Sequence, residues 1–87
     1  MNRDDKRLIR EKCGAQRKAN ARKIRAALVL NGHSGASIAR TEGISAQAVN
    51  NVIMGNKHTA RILDALETAG VPAELLADPR KVMQHAS

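Results

Sequence analysis

Not one of the 87 residues is Phe, Tyr or Trp. The core must therefore come from Leu, Ile, Val, Met and Ala, which interdigitate well between short helices but build few thick sheets. A chain this short also buries only roughly 60% of the surface that its unfolded form exposes. One domain fits these limits and a large enzyme cavity does not. The missing rings also rule out the aromatic platforms on which readers of single strands and RNA stack splayed bases. If the partner is nucleic acid, the expected form is a duplex held through its backbone and grooves.

Charge is distributed very unevenly. Residues 1–30 hold ten basic residues against Asp4, Asp5 and Glu11, and residues 31–87 hold five of each sign, so the whole net charge of +7 sits in the first third. Such a block fits an arm that neutralises phosphates, with Arg17, Lys18 and Arg22 as candidate contacts. The competing reading is a solvated, partly helical leader that keeps the chain in solution. A membrane-binding face fits less well, because after Met1 the only large apolar residues before Ile24 are Leu8 and Ile9.

Cys13 is the single cysteine, so no internal disulfide can form, which suits a reducing cytosol. The longest apolar run, Ala26 to Leu30, is too short for a signal peptide or a membrane span. The expectation is a soluble, cytoplasmic protein.

Helix signals dominate the chain and strand alternation is nearly absent. Asp4 or Asp5 can cap a first segment, which Gly14 is expected to interrupt. From Asn20 the pattern firms, with Ala21, Ile24, Ala27 and Leu28 at helical spacing up to Gly32. Ser34 and Ser45 are each placed to cap a short helix, ended by Gly43 and Gly55 respectively. Thr59 opens a further segment with Ile62, Leu63 and Leu66 on one face, and Pro72 suits the start of a short one through Leu76. Asp78-Pro79 repeats a start signal, but the sequence runs only to Ser87; either this is a short tail or a further helix has been cut away, and a truncated or flexible C-terminus is the expectation. The expected fold is all-α: a compact bundle of four to five helices over residues 21–77. A basic arm (1–20) precedes it and a tail (78–87) follows.

Residues 35–54, GASIARTEGISAQAVNNVIM, match the helix-turn-helix pattern. That motif needs a small residue where two helices cross, a turn glycine at positive φ and apolar residues between the helices. Ala39, Gly43 and the set Ile38, Ile44, Val49 and Val52 meet those needs. Glu42 departs from the pattern, since an apolar residue is usual there, and is expected to loosen the contact. On the second helix, Val49, Val52 and Ile53 face the core, while Gln47, Asn50, Asn51 and Met54 form an opposite face without a formal charge. Adjacent asparagines are poor helix formers, and Gln or Asn can both donate and accept at the N6/N7 edge of adenine. The bland alternatives are a generic helical hairpin and an exposed face on which two asparagines have drifted in.

On these residues, positions 21–77 resemble the lambda-repressor-like (Cro/repressor type) DNA-binding domain, and most of all the Ner-type early regulators of Mu-like phages. IARTEGISAQAVNNVI, the following Gly55 and ARILDALETAGVPAELL carry the likeness. The resemblance implies that the helix Ser45–Met54 enters the major groove, with Ser45, Ala46, Gln47, Asn50 and Asn51 at base-facing or groove-rim positions. It also implies phosphate contacts by Asn56 and Lys57. Where many repressors place a phosphate-binding glutamine this chain has Gly35, so backbone amides around Ser34 and Gly35 would take that role.

His33, His58 and His85 with Cys13 lie too far apart for a zinc motif, and no cofactor loop or nucleophile–base pair stands out. Arg40 and Thr41 fit phosphate contact or plain exposure equally. Leu63, Leu66, Leu75 and Leu76 are expected in the core, or, if exposed, at a dimer patch. The leading expectation is a sequence-specific double-stranded DNA-binding regulator of transcription, of phage or prophage origin and not an enzyme. One motif helix reads few base pairs, so a homodimer or higher oligomer on DNA is expected. The alternatives are the DNA-recognition part of a phage packaging subunit and an antitoxin-like protein-interaction module.

Overall fold

Short apolar periods broken by glycine and proline produce short helices, and seven occur among residues 3–86, the part described by the computed structural model. They are α1 (Arg3–Ala19), α2 (Ala21–Leu30), α3 (Gly35–Glu42), α4 (Ala46–Ile53), α5 (Ala60–Thr68), α6 (Ala73–Leu76) and α7 (Pro79–Ala86). The Cα radius of gyration is 12.6 Å, against about 12 Å expected for a compact chain of this length. The fold is all-α and compact.

The core is aliphatic. Ile24 and Leu28 from α2, Ile38 and Ala39 from α3, and Val49, Val52 and Ile53 from α4 bury one stripe of each helix. Ile62, Leu63 and Leu66 from α5, with Leu76 from α6, close it. Leu75 is only partly buried, and neither it nor the other three leucines forms an exposed patch. Among the described residues the exposed large apolar ones are Leu8, Val29, Leu30 and Val82.

α3 and α4 hold each other through local chemistry. Ser34 and Ser37 cap α3 reciprocally: the Ser34 hydroxyl accepts from the Ser37 amide at 3.1 Å, and the Ser37 hydroxyl accepts from the Ser34 amide at 2.8 Å. Gly43 takes φ +68° after α3, and the Ile44 amide returns to the Ala39 carbonyl at 2.9 Å. Ser45 then caps α4 by accepting from the Ala48 amide at 3.1 Å. Glu42, expected to loosen this contact, bonds to α5. Its carboxylate meets Arg61 of α5 at 3.2 Å, and its carbonyl accepts a second bond from the same guanidinium. That charge thus ties α3 to α5.

The two ends of the chain depart further from the expectation. Residues 21–77 hold five helices, α2 to α6, as expected, and two more, α1 and α7, flank them. α1 runs unbroken through Gly14, which lies against Gly55, the residue at φ +82° after α4. A Cβ at Gly14 would collide with the Gly55 carbonyl, and one at Gly55 would collide with the Gly14 backbone. Gly14 therefore works as a contact point between backbones, and the close packing outweighs its low helix propensity. Residues 79–86 are helical rather than an irregular tail. The Asp78 carboxylate accepts from the Arg80 amide at 2.9 Å, Pro79 follows as the first helical residue, and α7 packs on α1. The side chain of His85, as well as Ser87, lies outside the described residues.

Candidate functional site

α4 carries the face that the sequence singles out. Ser45, Ala46, Gln47 and Asn50 are exposed and Asn51 is half-buried, while Val49, Val52 and Ile53 point into the core. The three amides are not independent. Gln47 Nε2 lies 3.2 Å from Asn51 Oδ1, one helical turn on. Asn50 Oδ1 accepts from an Nη of Arg25, on α2, at 2.6 Å.

A groove of about 360 Å³ runs beside this face. Arg25 and Val29 of α2, Ser34, Gly35 and Ala36 at the start of α3, and Ala46 and Asn50 of α4 line it. The fold thus brings two predicted groups together: base-facing candidates on α4 and phosphate candidates at the N-terminus of α3. The Ser34 amide is spent on Ser37, but the Gly35 and Ala36 amides belong to the first helical turn and have no intrahelical acceptor. Arg22 sits one turn before Arg25 on α2, exposed, and Lys18 is exposed near the end of α1. Arg22, Arg25 and Val29 form one stripe at helical spacing.

Beyond the other end of α4, Asn56 and Lys57 are exposed. Their amides both return to the Asn51 carbonyl, at 2.9 and 3.3 Å, leaving only their side chains to the outside. Arg40 and Thr41 are exposed at the end of α3.

Arg17 is a correction. Expected at a phosphate, it is 0% exposed. It points inward because it lies one turn beyond Cys13 and Gly14 on the face of α1 that packs on the body. Its Nε donates to the Leu76 carbonyl at 2.6 Å, and one Nη to the Val52 and Lys57 carbonyls at 2.9 Å each. Its other Nη lies 2.9 Å from His58 Nδ1 and 3.5 Å from the Ala77 carbonyl. A guanidinium only donates, so His58 must accept at Nδ1 and carry its proton on Nε2. Ala77 takes the left-handed conformation at φ +46°, a strained state for a residue with a Cβ. Arg17 touches no outer surface. It fixes the loop that carries Lys57, and so serves the candidate site from within.

The charged groups around Arg17 respond as their surroundings require. Burial, then the nearby Arg17 and Arg10, push the His58 pKa below its ordinary value. Burial raises the Cys13 thiol. Burial also acts to raise Asp78, but hydrogen bonds from the Arg80 side chain and amide outweigh it and hold the carboxyl below its usual range. Arg80 is in turn raised by its bonds to Asp78 and Asp64. Among the described residues no group of three or more His, Cys, Asp or Glu is placed to hold a metal ion, and no helix is long and apolar enough to cross a membrane.

Two residues of the site escaped the sequence reading. Ser37 completes the α3 cap, and Ser-x-x-Ser is a weaker form of the capping-box signal that could have shown it. Arg25 meets Asn50 across 25 positions, and no local pattern announces that. The chain matches no model of a known protein family, no curated protein and no solved structure.

Proposed function

We propose that this chain is a sequence-specific double-stranded DNA-binding regulator of transcription, of the phage or prophage early-regulator kind, that reads the major groove with α4. One observation carries the reading: the outer face of α4 is an amide surface without a formal charge, set beside a stripe of exposed cations on α2. Amides discriminate base edges, while cations supply affinity that does not depend on sequence. Segregating the two on adjacent helices is what a duplex reader requires, and a merely solvated helix has no use for it.

In this reading Gln47, Asn50 and Asn51 face base edges, with Ser45 and Ala46 at the groove rim. The α3 N-terminus at Ser34 and Gly35 holds one phosphate, and the side chains of Asn56 and Lys57 hold another beyond the far end of α4. Lys18 and Arg22 add backbone contacts. One helix spans too few base pairs for useful discrimination, so two copies occupy half-sites about one helical turn apart.

The test is selection from a random duplex library at near-physiological salt, comparing the wild type with the double variant Asn50→Ala/Asn51→Ala. A short enriched motif that the variant loses supports direct readout. Salt-sensitive binding with no enriched sequence overturns it, leaving a basic scaffold for packaging or for a protein partner.

A further inference from the structure

The first turns of α1 carry cations on the same face that the rest of the helix buries. Arg3, Lys6, Arg10, Gly14 and Arg17 follow one another at spacings of three or four residues and so form a single stripe. Gly14 and Arg17 are buried, whereas Arg3, Lys6 and Arg10 are exposed. We infer that these three side chains form a preset phosphate-binding surface, which lies along the duplex backbone beyond the end of α4 and continues the contact proposed for Lys57. The inference rests on the duplex-binding role proposed above.

The stripe is tied to the far end of the candidate site. Asn56 and Lys57 return their amides to the Asn51 carbonyl, which keeps their loop at the end of the α4 amide face. Gly14 lies against Gly55 in that loop, and Arg17 donates to the Lys57 carbonyl. Arg10 stands one turn before Gly14 and is close enough to His58 to act on its charge. The cations thus start beside the Lys57 loop and run on along α1. Their direction is set, unlike that of a flexible arm, because α1 is one helix from Arg3 to Ala19 and Gly14 and Arg17 fix it to the body. A disordered arm loses chain entropy when it meets a ligand, and α1 has already lost it on folding.

Charge and spacing select the partner. Among the described residues Arg3, Lys6 and Arg10 take part in no ion pair, while Arg7, beside the stripe, meets Glu11 at 3.6 Å. Asp4, Asp5 and Glu11 all stand off the stripe, so it presents one sign of charge. It also carries no large apolar side chain, which a protein interface or an acyl surface would need. From Arg3 to Arg10 the helix rises about 10 Å, at roughly 1.5 Å per residue. One strand of a duplex sets a phosphate about every 3.4 Å along the axis, so about three phosphates fall within that length.

The experiment measures binding of the full chain to mixed-sequence duplex over a range of salt, with the wild type, Lys6→Gln/Arg10→Gln and Lys12→Glu. Lys12 is exposed on the other side of α1, and its change to Glu removes the same two units of charge. Gln and Glu are both good helix formers, so α1 persists in each variant. The slope of log affinity against log salt is expected to fall by about two in the double variant and hardly at all in Lys12→Glu. On a duplex enriched by selection, the double variant should also lose hydroxyl-radical protection at one edge of the footprint and keep it at the centre. Equal losses in the two variants would show that only total charge matters, and the inference fails. Undiminished binding by the double variant overturns it too, and leaves the stripe to an acidic protein partner. If the slopes behave as expected but selection enriches no motif, sequence reading by α4 fails while the stripe stands. A wild type that binds no duplex overturns both.

Discussion

Arg17 and Leu76 stand 59 residues apart in the chain, yet Nε of the first donates to the carbonyl of the second at 2.6 Å. The same guanidinium reaches the Val52 and Lys57 carbonyls, so one side chain joins α1, the loop after α4 and the end of α6. A cation inside an aliphatic body is tolerated here because its N–H groups meet four carbonyls and the ring nitrogen of His58. Among the described residues no buried side-chain nitrogen or oxygen lacks a partner.

Removing that side chain takes the shared donor away from the Leu76, Lys57 and Ala77 carbonyls and from His58 Nδ1. Arg17→Met is expected to destabilise the fold by about 3–5 kcal/mol. Arg17→Lys should recover only a part, since an ammonium lacks the planar fork that serves Nε and both Nη partners. Lys18→Ala and Arg22→Ala should each stay within about 0.5 kcal/mol of wild type. They should instead lower the slope of log affinity against log salt by about one on random duplex. Urea titration and salt-dependent binding separate the two groups. An Arg17 variant as stable as wild type would contradict the buried network.

Gly14 gives a test in which two rules oppose each other. In a solvated helix Gly→Ala stabilises by roughly 1 kcal/mol. Here the added Cβ meets the Gly55 carbonyl, which is backbone and cannot rotate away. Gly14→Ala is therefore expected to destabilise by about 1–3 kcal/mol, the usual range for overpacking. A rise in melting temperature would show that α1 does not dock against Gly55.

On the α4 face the expected signature is selective loss. Gln47→Ala or Asn51→Ala should cost roughly 1–3 kcal/mol on the preferred duplex and little on random duplex. Equal losses on both would mean that these amides supply only general affinity.

His58 predicts the response to acid. Its folded pKa lies below the ordinary value of about 6.5, so as pH falls the unfolded chain takes up the proton first. The stability it contributes is complete above about pH 6.5 and is lost as pH drops from there towards the lower folded value. Protonation also removes the acceptor that Arg17 uses and sets two cations side by side. His58→Gln keeps an acceptor without titrating, so its stability should fall less steeply between about pH 7 and 5. Equal slopes in urea midpoint against pH would remove His58 from the acid response.

What the sequence makes legible follows the range of the forces involved. Ser34, Gly43 and Ser45 act on amides or backbone angles within a few residues, so the α3–turn–α4 unit can be read from its own text. The aliphatic stripes of α2, α4 and α5 are equally local. Arg17 is different, because its partners lie between 35 and 60 positions away and it sits among nine other cations of the first thirty residues. Only its register with Cys13 and Gly14 marks the inward face. α7 announces its start with Asp78-Pro79, but the surface that supports it belongs to α1, at the opposite end of the sequence. The site divides in the same way: the amides of α4 are visible in one dimension, and the hold of Arg25 on Asn50 is not.

The acceptors of Arg17 also impose an order of events during synthesis. α3 to α5 can bury their aliphatic stripes against one another as soon as they clear the ribosome, because these three helices pack on one another. α1, made first, must wait until Leu76 and Ala77 have emerged before its guanidinium has its full set of carbonyls. Throughout that interval the most basic part of the chain is an undocked helix beside a partly finished body, and its docking records that translation has passed residue 77.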